Sequence, residues 1–411
     1  MVTYPQDWKT YSFKKFFKLI PNNTLSRDKL SAFGTVGNIH YGDVLINYRD
    51  ILSDDDVIPR IREDIGYTAN NFLQKNDVVL ADTAEDETVG KVTQVGDVSI
   101  PLVGGLHTVV CRPNIATADG YLGCYMNSKY YHDQLMPYIT GIKVSSVSKK
   151  SLNETEINIP ADTKEQDAIV DVFRVMDRHT VNLTVLIEKK KGIRDGALED
   201  LVNGKTRLDE FSGEWREHTI EDITQSVITG GTPSTAHSEY YGGNIPWLSS
   251  KEIHQKRITR PTTHITDLGL QNSSAKMAPS GSVLIALAGQ GKTRGTAAYL
   301  ISPMALNQSL AALITNEKCN PEFLFFLIES MYLSLRELSS GDGGRGGLNK
   351  KLIKGVTVKI PVDVTEQKAI AAVLIAMDDE IEALEAEREK IVQIREGAMD
   401  DLLTGRVRIV V

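Results

Sequence analysis

One segment of the chain has the residue types of a nucleotide-binding loop. Ala286–Thr293 reads ALAGQGKT, a loose P-loop pattern with alanine in place of the first glycine. A phosphate-binding loop needs a helix N-terminus directly after it, because the free backbone N–H groups there bind the anion. The residues that follow, 294–303, instead have the pattern of a strand, and no Walker B strand follows at a suitable distance. We therefore favour a polar hairpin tip, with a P-loop enzyme as the alternative.

The side chains of this tip suit DNA. Gln290 can pair with adenine, Arg294 can pair with guanine, and Lys292 and Thr293 suit phosphate. Glycine in the tip permits a tight turn and a close approach to another molecule. We predict that the tip lies in or beside the major groove of a duplex.

A second segment has part of a catalytic pattern. Asn320–Phe323 reads NPEF, whereas adenine methyltransferases carry Asn-Pro-Pro followed by an aromatic residue. Glu322 breaks that pattern, which packs a flipped base against apolar and backbone groups, and no glycine-rich cofactor loop precedes it. Pro321 is predicted instead to be the first residue of a helix, and we expect no methyl transfer by this chain alone.

The loop Gly341–Gly347, GDGGRGG, has two interpretations. It is a surface loop, or its backbone approaches DNA and places Arg345 on a phosphate or base edge. Lys143 lies one position before the place in the first half of the chain that aligns with Arg345. The histidines have no metal-ligand spacing with cysteine or acid, so we predict no metal site.

A segment of 52 residues occurs twice. Ile157–Leu208 and Val358–Ile409 align without a gap, with 21 identities in 52 positions. Two copies are too few for a solenoid, which needs about three or more. The sequence therefore predicts a duplicated chain in which variable domains alternate with helical segments, bounded as 1–156, 157–208, 209–357 and 358–411.

Each copy predicts one long helix. Thr163 and Thr365 are predicted N-caps, and Gly204 and Gly405 predicted C-caps. About 40 residues at ~1.5 Å each give a rod of roughly 60 Å. Apolar residues recur at spacings of four and three, the pattern of a coiled-coil seam: Ile169, Phe173, Met176, Leu183, Ile187, Ala197 and Leu201 in the first copy, and Ile370, Leu374, Met377, Ile381, Leu384, Ile391, Ala398 and Leu402 in the second.

Charged residues interrupt the seam. Arg194 and Arg395 occupy the same position in the two copies, and Lys190 and Arg388 each replace an isoleucine of the other copy. Their long stems either lie along the surface and pair with acids, or they fix the register and direction of the helices. In both cases we expect the helices to pack antiparallel within one chain, with pseudo-two-fold symmetry.

Composition limits the classes of protein. No run approaches the roughly 18 apolar residues of a membrane span, the N-terminus lacks the apolar region of a signal peptide, and the three cysteines are not clustered. We therefore expect a cytoplasmic protein. The net charge of −8 is uneven: −2 for residues 1–155, −4 for 156–215, +3 for 216–354 and −5 for 355–411. A local face that binds phosphate is compatible with this distribution.

The two variable domains are predicted to be α+β, with mostly antiparallel strands separated by turns. The predicted strands include 76–82, 100–103, 108–111, 281–288 and 297–301, and the predicted helices are Tyr125–Pro137 and Pro321–Leu338.

The ordered set of motifs resembles the specificity subunits of type I restriction–modification systems. The resemblance extends over essentially the whole chain, and no single motif decides it. The matching stretches are Thr365–Ile370 (TEQKAI) and its copy Lys164–Ile169 (KEQDAI), Gly230–Ser234 (GGTPS), Asn244–Ser249 (NIPWLS), Leu306–Gln308 (LNQ) and Asn38–Asp43 (NIHYGD).

The resemblance implies two target-recognition domains that each read one half of a bipartite, asymmetric DNA site, with the long antiparallel helices setting the spacing of the halves. Both domains would face the same side of the duplex, about one turn or roughly 34 Å apart. The chain itself would be non-catalytic. Our candidate DNA contacts are Gln290, Lys292, Thr293, Arg294, Arg345, Lys251, Thr232, Ser234 and Lys350 in the second domain, and Arg27, Lys91, Lys143 and Lys149 in the first.

The implied partners are two modification (methyltransferase) subunits, which use S-adenosylmethionine, and restriction subunits, which use ATP and Mg²⁺. No cofactor is expected in this chain. Val181, Val185 and Leu186 lie outside the seam and are predicted to pack against helices of the modification subunits. The alternatives are the P-loop enzyme and a coiled-coil adaptor that does not contact DNA.

Overall fold

The computed structural model describes residues 4–68, 70–141, 143–289, 292–339 and 347–409. The chain forms two compact units. The first comprises Met1–Thr184 and Ala386–Val411, and the second comprises Val185–Glu385. Each unit therefore contains one variable domain together with parts of both long helices.

The first unit is a mixed helix and strand structure. Its strands are β1 (Trp8–Ser12), β2 (Phe17–Ile20), β3 (Leu30–Ser31), β4 (Gly37–Ile39), β5 (Ile51–Leu52), β6 (Arg60–Ile61), β7 (Val78–Ala81), β8 (Thr83–Ala84), β9 (Val92–Val95), β10 (Leu102–Gly104), β11 (Thr108–Pro113), β12 (Ser145–Ser146) and β13 (Glu156–Pro160). Its short helices are α1 (Phe13–Phe16), α2 (Tyr41–Ile46), α3 (Tyr121–Met126), α4 (Lys129–Leu135) and α5 (Lys149–Leu152), with 3-10 turns at Arg27–Lys29, Glu63–Ile65 and Met136–Tyr138. The first long helix, α6 (Thr163–Val202), begins here.

The second unit has the same kinds of element. Its strands are β14 (Trp215–Thr219), β15 (Thr224–Thr229), β16 (Tyr241–Leu248), β17 (Arg257–Ile258), β18 (Thr263–Ile265), β19 (Lys276–Ala278), β20 (Val283–Ala286), β21 (Ala297–Leu300), β22 (Met304–Leu306), β23 (Leu310–Thr315) and β24 (Thr357–Pro361). Its short helices are α7 (Asp267–Gln271), α8 (Pro321–Ser330), α9 (Tyr332–Leu338) and α10 (Lys350–Lys354), with 3-10 turns at Ser238–Tyr240 and Ser250–Gln255. The second long helix, α11 (Val364–Leu402), begins in this unit.

The larger sheets of the two units share one strand order. The larger sheet is β2-β11-β7-β9-β5 in the first unit and β15-β23-β20-β21-β17 in the second. The smaller sheet contains a parallel pair in each case, β4 with β10 and β16 with β22, and an antiparallel neighbour, β6 or β18. Its fourth strand differs: β3 adjoins β6, whereas β19 adjoins β22. The prediction of two α+β domains with mostly antiparallel strands is confirmed.

The larger sheet of each unit is buried on both faces. In β20, Val283 and Ile285 pack in the cluster with α8 and the long helices, while Leu284 and Ala286 pack in the cluster with the smaller sheet. This alternation follows from the two-residue period of a strand. It also explains why the sequence shows continuous apolar runs here.

The long helices end as predicted, but their N-caps lie one residue before Thr163 and two residues before Thr365. Gly204 and Gly405 adopt the left-handed conformation, with φ of 66° and 71°. Thr163 and Thr365 are not the caps. The carboxylate of Asp162 accepts from Lys164 N at 2.9 Å, and the carboxylate of Asp363 accepts from Thr365 N at 2.8 Å. An aspartate satisfies the free N–H groups of the first turn as well as threonine does, and both copies carry one.

Within each unit the two long helices pack antiparallel, and all the predicted seam residues are buried or half-buried. The seam charges pair with acids: Lys190 Nζ lies 2.6 Å from Glu380 Oε1, Arg194 Nε lies 2.8 Å from Asp378 Oδ1, and Arg395 Nε lies 2.7 Å from Asp177 Oδ1. Asp177 and Asp378 are the same position of the repeat, so both arginines make the same contact between helices.

The repeated Glu-Gln pair joins each long helix to its domain. Gln367 Oε1 accepts from Asn320 N at 2.7 Å, and its amide group donates to the carbonyls of Lys318 and Pro361. Gln166 bonds in the same way to Ala118 N and Pro160 O. This motif of the family resemblance therefore has a structural explanation, which is to hold the domain on the helix.

Within the described ranges, none of the helices combines the length and the apolar character that a membrane crossing requires.

Candidate nucleic-acid interface

The predicted hairpin tip of the second unit connects β20 and β21, which pair antiparallel. The described residues after Lys292 lead into a strand rather than a helix, so the helix N-terminus that a P-loop requires does not follow this segment. Asn320 caps α8 through its side chain, which accepts from Phe323 N, and Pro321 opens that helix. The first segment therefore lacks the helix that follows a P-loop, and Asn320–Phe323 forms the start of a helix.

Three of the four predicted tip residues lie in the described ranges, and their side chains have different environments. Lys292 is exposed. Thr293 Oγ1 lies 3.2 Å from His254 Nε2. Arg294 is half-buried, and its Nη1 donates to Ser339 Oγ on the C-terminal side of α9 at 3.3 Å. Gln290 lies outside the described residues, as does Arg345.

A second loop lies beside the tip because glycine permits a close backbone contact. A Cβ at Gly230 would lie 1.7 Å from Leu306 O, so no other residue fits there. The next residues follow the turn 307–309, where the chain crosses from the smaller sheet (β22) to the larger sheet (β23). Thr232 Oγ1 donates to Gln308 Oε1 at 2.6 Å, and Ser234 is exposed nearby in the sequence.

This crossing turn connects the remaining segments of the surface. Leu287 N, at the base of the tip, donates to Ser309 O at 2.8 Å, and Ser250 N donates to Ser309 Oγ at 3.4 Å. Lys251 is exposed directly after Ser250. We define the second polar face as residues 230–234, 249–255, 287–289, 292–296 and 307–309. The predicted contacts Thr232, Ser234, Lys251, Lys292 and Thr293 all belong to it.

The first unit has a corresponding face around its own crossing turn, 105–107. Asn22 Nδ2 donates to Gly105 O at 2.9 Å, Tyr41 N donates to Leu106 O at 3.3 Å, and Asp82 N donates to His107 O at 3.1 Å. We define the first polar face as residues 22–23, 40–43, 82–84 and 105–107. Its side chains differ from those of the second polar face, although its backbone hydrogen bonds correspond.

Two predicted contacts of the first unit have partners within the protein. Arg27 forms a two-pronged ion pair with buried Asp43. Lys91 Nζ donates to Leu45 O at 2.8 Å near the end of α2, and burial lowers the pKa of this lysine. Both side chains stabilise the segment 40–46, and their role as DNA contacts stays a prediction.

The other predicted contacts are exposed lysines. Lys143 and Lys149 flank β12, which pairs with β8 at the base of the 82–91 hairpin. Lys350 is the first residue of α10, directly after the cap Asn349. Nothing in the structure tests their contact with DNA.

The sequence reasoning missed four residues of the faces: Gln308, His107, His40 and Tyr41. The rings of His40 and Tyr41 lie 4.6 Å apart, and Tyr41 meets His107 edge to face at 5.3 Å. Burial, followed by the nearby Arg27 charge, lowers the pKa of His40. Leu306–Gln308 and Asn38–Asp43 were noted only as motifs, and a motif does not show which of its side chains is presented.

Among the described residues, no group of three or more histidine, cysteine or acidic side chains could hold a metal ion. The three cysteines are buried, and burial raises the pKa of Cys319 to about 12. A thiol with such a pKa is not a nucleophile near neutral pH.

Comparison with known sequences matches this architecture. The family described as "Type I restriction modification DNA specificity domain" matches residues 5–191 and 212–393. A type I restriction enzyme MjaX specificity subunit of Methanocaldococcus jannaschii is 22% identical over 425 residues, covering 98% of this chain and 95% of that protein. The MjaIX specificity subunit of the same organism is 30% identical over 199 residues, covering 46% of this chain and 44% of that protein.

Comparison with solved structures gives the same fold. The type I restriction–modification S subunit from M. genitalium superposes with a TM-score of 0.60 at 16% identity, covering 96% of each chain. The HsdS subunit from Thermoanaerobacter tengcongensis superposes with a TM-score of 0.52 at 16% identity, covering 98% of each chain.

Proposed function

This chain belongs to the type I restriction–modification DNA specificity family, and from that premise we propose that it reads a bipartite, asymmetric DNA sequence within a type I restriction–modification complex. One observation carries the proposal. The larger sheets of the two units have the same strand order, and the crossing turns have corresponding backbone hydrogen bonds, but they present different side chains. One scaffold with two different polar faces suits a site whose halves differ.

The reaction chemistry is proposed to reside in partners. We propose two modification subunits, which bind S-adenosylmethionine and methylate adenine, and restriction subunits, which use ATP and Mg²⁺. The predicted docking residues support the first part: Val185 is 64% exposed and Leu186 39% exposed on α6, and Val181 is half-buried. Exposed apolar residues on a helix mark a surface for another chain.

Mapping of methylated adenines in host DNA, with and without this gene, tests the proposal. We expect one bipartite, asymmetric methylated site to disappear when the gene is absent. Purified chain with its modification partner should also protect that site from nuclease. Methylation that is unchanged in the deletion strain would contradict the proposal.

The same experiment separates the alternatives. An adaptor without DNA contact predicts loss of methylation but no protection that maps to the second domain. A P-loop enzyme predicts ATP binding by the pure chain, lost in Lys292→Ala. That alternative is disfavoured by the strand that follows the tip.

The exposed lysines of the second polar face give a quantitative prediction. Lys251→Ala and Lys292→Ala should weaken binding to all sequences about equally, because a lysine on phosphate carries no base information. Each should reduce the slope of log K against log salt by about 0.9, the amount per neutralised phosphate. Binding titrations of the complex at several salt concentrations measure this.

Lys318→Ala is the matched control, since Lys318 is exposed at the opposite end of β23 from the crossing turn. It should leave the slope unchanged. Equal slopes for all three variants would remove these lysines from the interface.

A further inference from the structure

We propose that the crossing turn is the base-reading element of each unit, with Gln308 and His107 as the specificity-determining side chains. The inference rests on the proposed function and goes beyond it by naming the position in the fold where bases are discriminated. Both residues lie on the turn that leads from the smaller sheet to the larger one, at 307–309 and 105–107.

Gln308 is exposed, yet its orientation is fixed. Thr232 Oγ1 donates to its Oε1 at 2.6 Å, and within the described part of the chain its Nε2 makes no hydrogen bond. An amide oxygen has two lone pairs, so Oε1 can accept a second hydrogen bond while Nε2 donates. Acceptance from N6 and donation to N7 is the pairing by which glutamine reads adenine in the major groove.

Thr232 is a positioning residue in this arrangement. The segment 230–232 is held against β22, since Gly231 N donates to Leu306 O at 3.0 Å and the Trp247 indole donates to Gly231 O at 3.1 Å. The hydroxyl is therefore delivered by a fixed backbone. A side chain that is ordered before binding loses less entropy on contact with a base.

His107 lies on the equivalent turn of the first unit, one position further along than Gln308, because Asp82 N donates to His107 O as Leu287 N donates to Ser309 O. It is exposed and has a φ of 53°, a conformation that residues other than glycine rarely adopt. Its Nδ1 lies 3.3 Å from Thr83 Oγ1 and 3.5 Å from Asp82 Oδ1, and the Tyr41 ring packs against it. These contacts engage Nδ1 and leave Nε2 without a hydrogen bond among the described residues, on a side chain that is 48% exposed. Strained conformations of this kind concentrate at functional sites.

The two turns thus share three properties that a purely structural turn does not need. Each presents an exposed side chain with hydrogen-bonding atoms, each holds that side chain through a threonine hydroxyl from another segment, and each lies within the polar face of its unit. The side chains themselves differ, as the two halves of an asymmetric site require.

Selection from a DNA library with each half-site randomised in turn, using the chain assembled with its modification partner, tests the inference. Gln308→Ala should reduce discrimination at one position of one half-site by about 5- to 150-fold, the range for one bidentate pair. Gln308→Glu should change the preferred base there to cytosine, because a carboxylate accepts from cytosine N4. His107→Ala should change only the other half-site.

Variants of Thr232 test whether its hydroxyl acts by orienting Gln308 or only by stabilising the fold. Thr232→Val should weaken the base preference at the same position as Gln308→Ala. Thr232→Ser keeps the hydroxyl and should keep the wild-type base preference. Gln271→Ala is the matched control, an exposed glutamine on α7 of the same unit, and should leave the profile unchanged.

The experiment distinguishes failure of this inference from failure of the proposed function. If the wild-type complex selects no sequence, the proposed function is wrong. If the wild-type complex selects a bipartite site and Gln308→Glu and His107→Ala bind DNA with unchanged profiles, this inference alone is wrong.

Discussion

Replacement of Arg194 by methionine should lower the free energy of unfolding of the second unit by roughly 3–5 kcal/mol, the cost of breaking a buried ion pair from one side. The Arg194 side chain is 4% exposed, and it bonds to Asp378 of α11 and to Glu329 of α8. Its guanidinium carbon also lies 5.6 Å from the centre of the Phe326 ring. The variant leaves Asp378 poorly solvated, at 17% exposure, without this partner.

Hydrogen exchange of amides in α8 and α11 measures the loss within the second unit itself. Glu329 retains its ion pair with Lys256, whose Nζ lies 2.8 Å from Glu329 Oε1. We therefore attribute most of the lost stability to Asp378. Asp378→Asn in the Arg194→Met background should therefore recover part of the stability. Arg257→Met is the control: its pair with Asp379 spans 3.6 Å, with side chains 31% and 62% exposed, and exposed pairs contribute about 0–1 kcal/mol. Similar losses in the two single variants would contradict the argument.

The long helices were predictable because their evidence is local and repeated. The apolar spacing, the closing glycines and the alignment of two copies all act within a few turns of helix. The caps were misassigned, by one residue at Thr163 and by two residues at Thr365, because threonine and aspartate both serve as caps. Only the backbone shows that Asp162 and Asp363 occupy that position.

The polar faces were only partly predictable, because they depend on pairings between distant segments. Thr232 and Gln308 are joined by the parallel pairing of β16 with β22 and by the close approach at Gly230. The sequence shows neither contact. For the same reason Lys91 and Arg27 looked like free cations, although Leu45 O and Asp43 are their partners. Residue type predicts the chemistry of a side chain, whereas the sheet topology decides whether that side chain is presented.

Insertion of one heptad into both long helices should abolish modification of the natural site. The boundary between the units falls after Thr184 in α6 and after Glu385 in α11. Seven residues added at both points preserve the seam pattern and every ion pair within each unit. A heptad adds ~10 Å of helix, or about three base pairs of DNA. Three base pairs also rotate the duplex by roughly a third of a turn, since a turn has about 10.5 base pairs.

Insertion of one heptad should cause a large loss of specific DNA binding. A complex that binds one half-site correctly cannot place its other domain on the second half-site, so it loses the base contacts there. Each base pair that is lost costs about 1–3 kcal/mol of binding free energy. Three such pairs correspond to at least about a 100-fold loss of specific binding. Modification of the natural site in vitro, normalised to complex concentration, measures this. An insertion into one helix only should instead destabilise both units, because it displaces the seam on one side.

Three heptads should restore activity on a different site. Twenty-one residues add about 31 Å, close to the roughly 34 Å of one DNA turn, so both polar faces would again meet the same groove face. Selection from a library of spacer lengths should then return the natural half-sites separated by about nine or ten additional base pairs. This periodicity separates a ruler from a flexible tether, because a tether would tolerate one, two or three heptads with gradually changing efficiency. Changed bases within the half-sites, or an unchanged spacer, would show that the long helices do not set the distance.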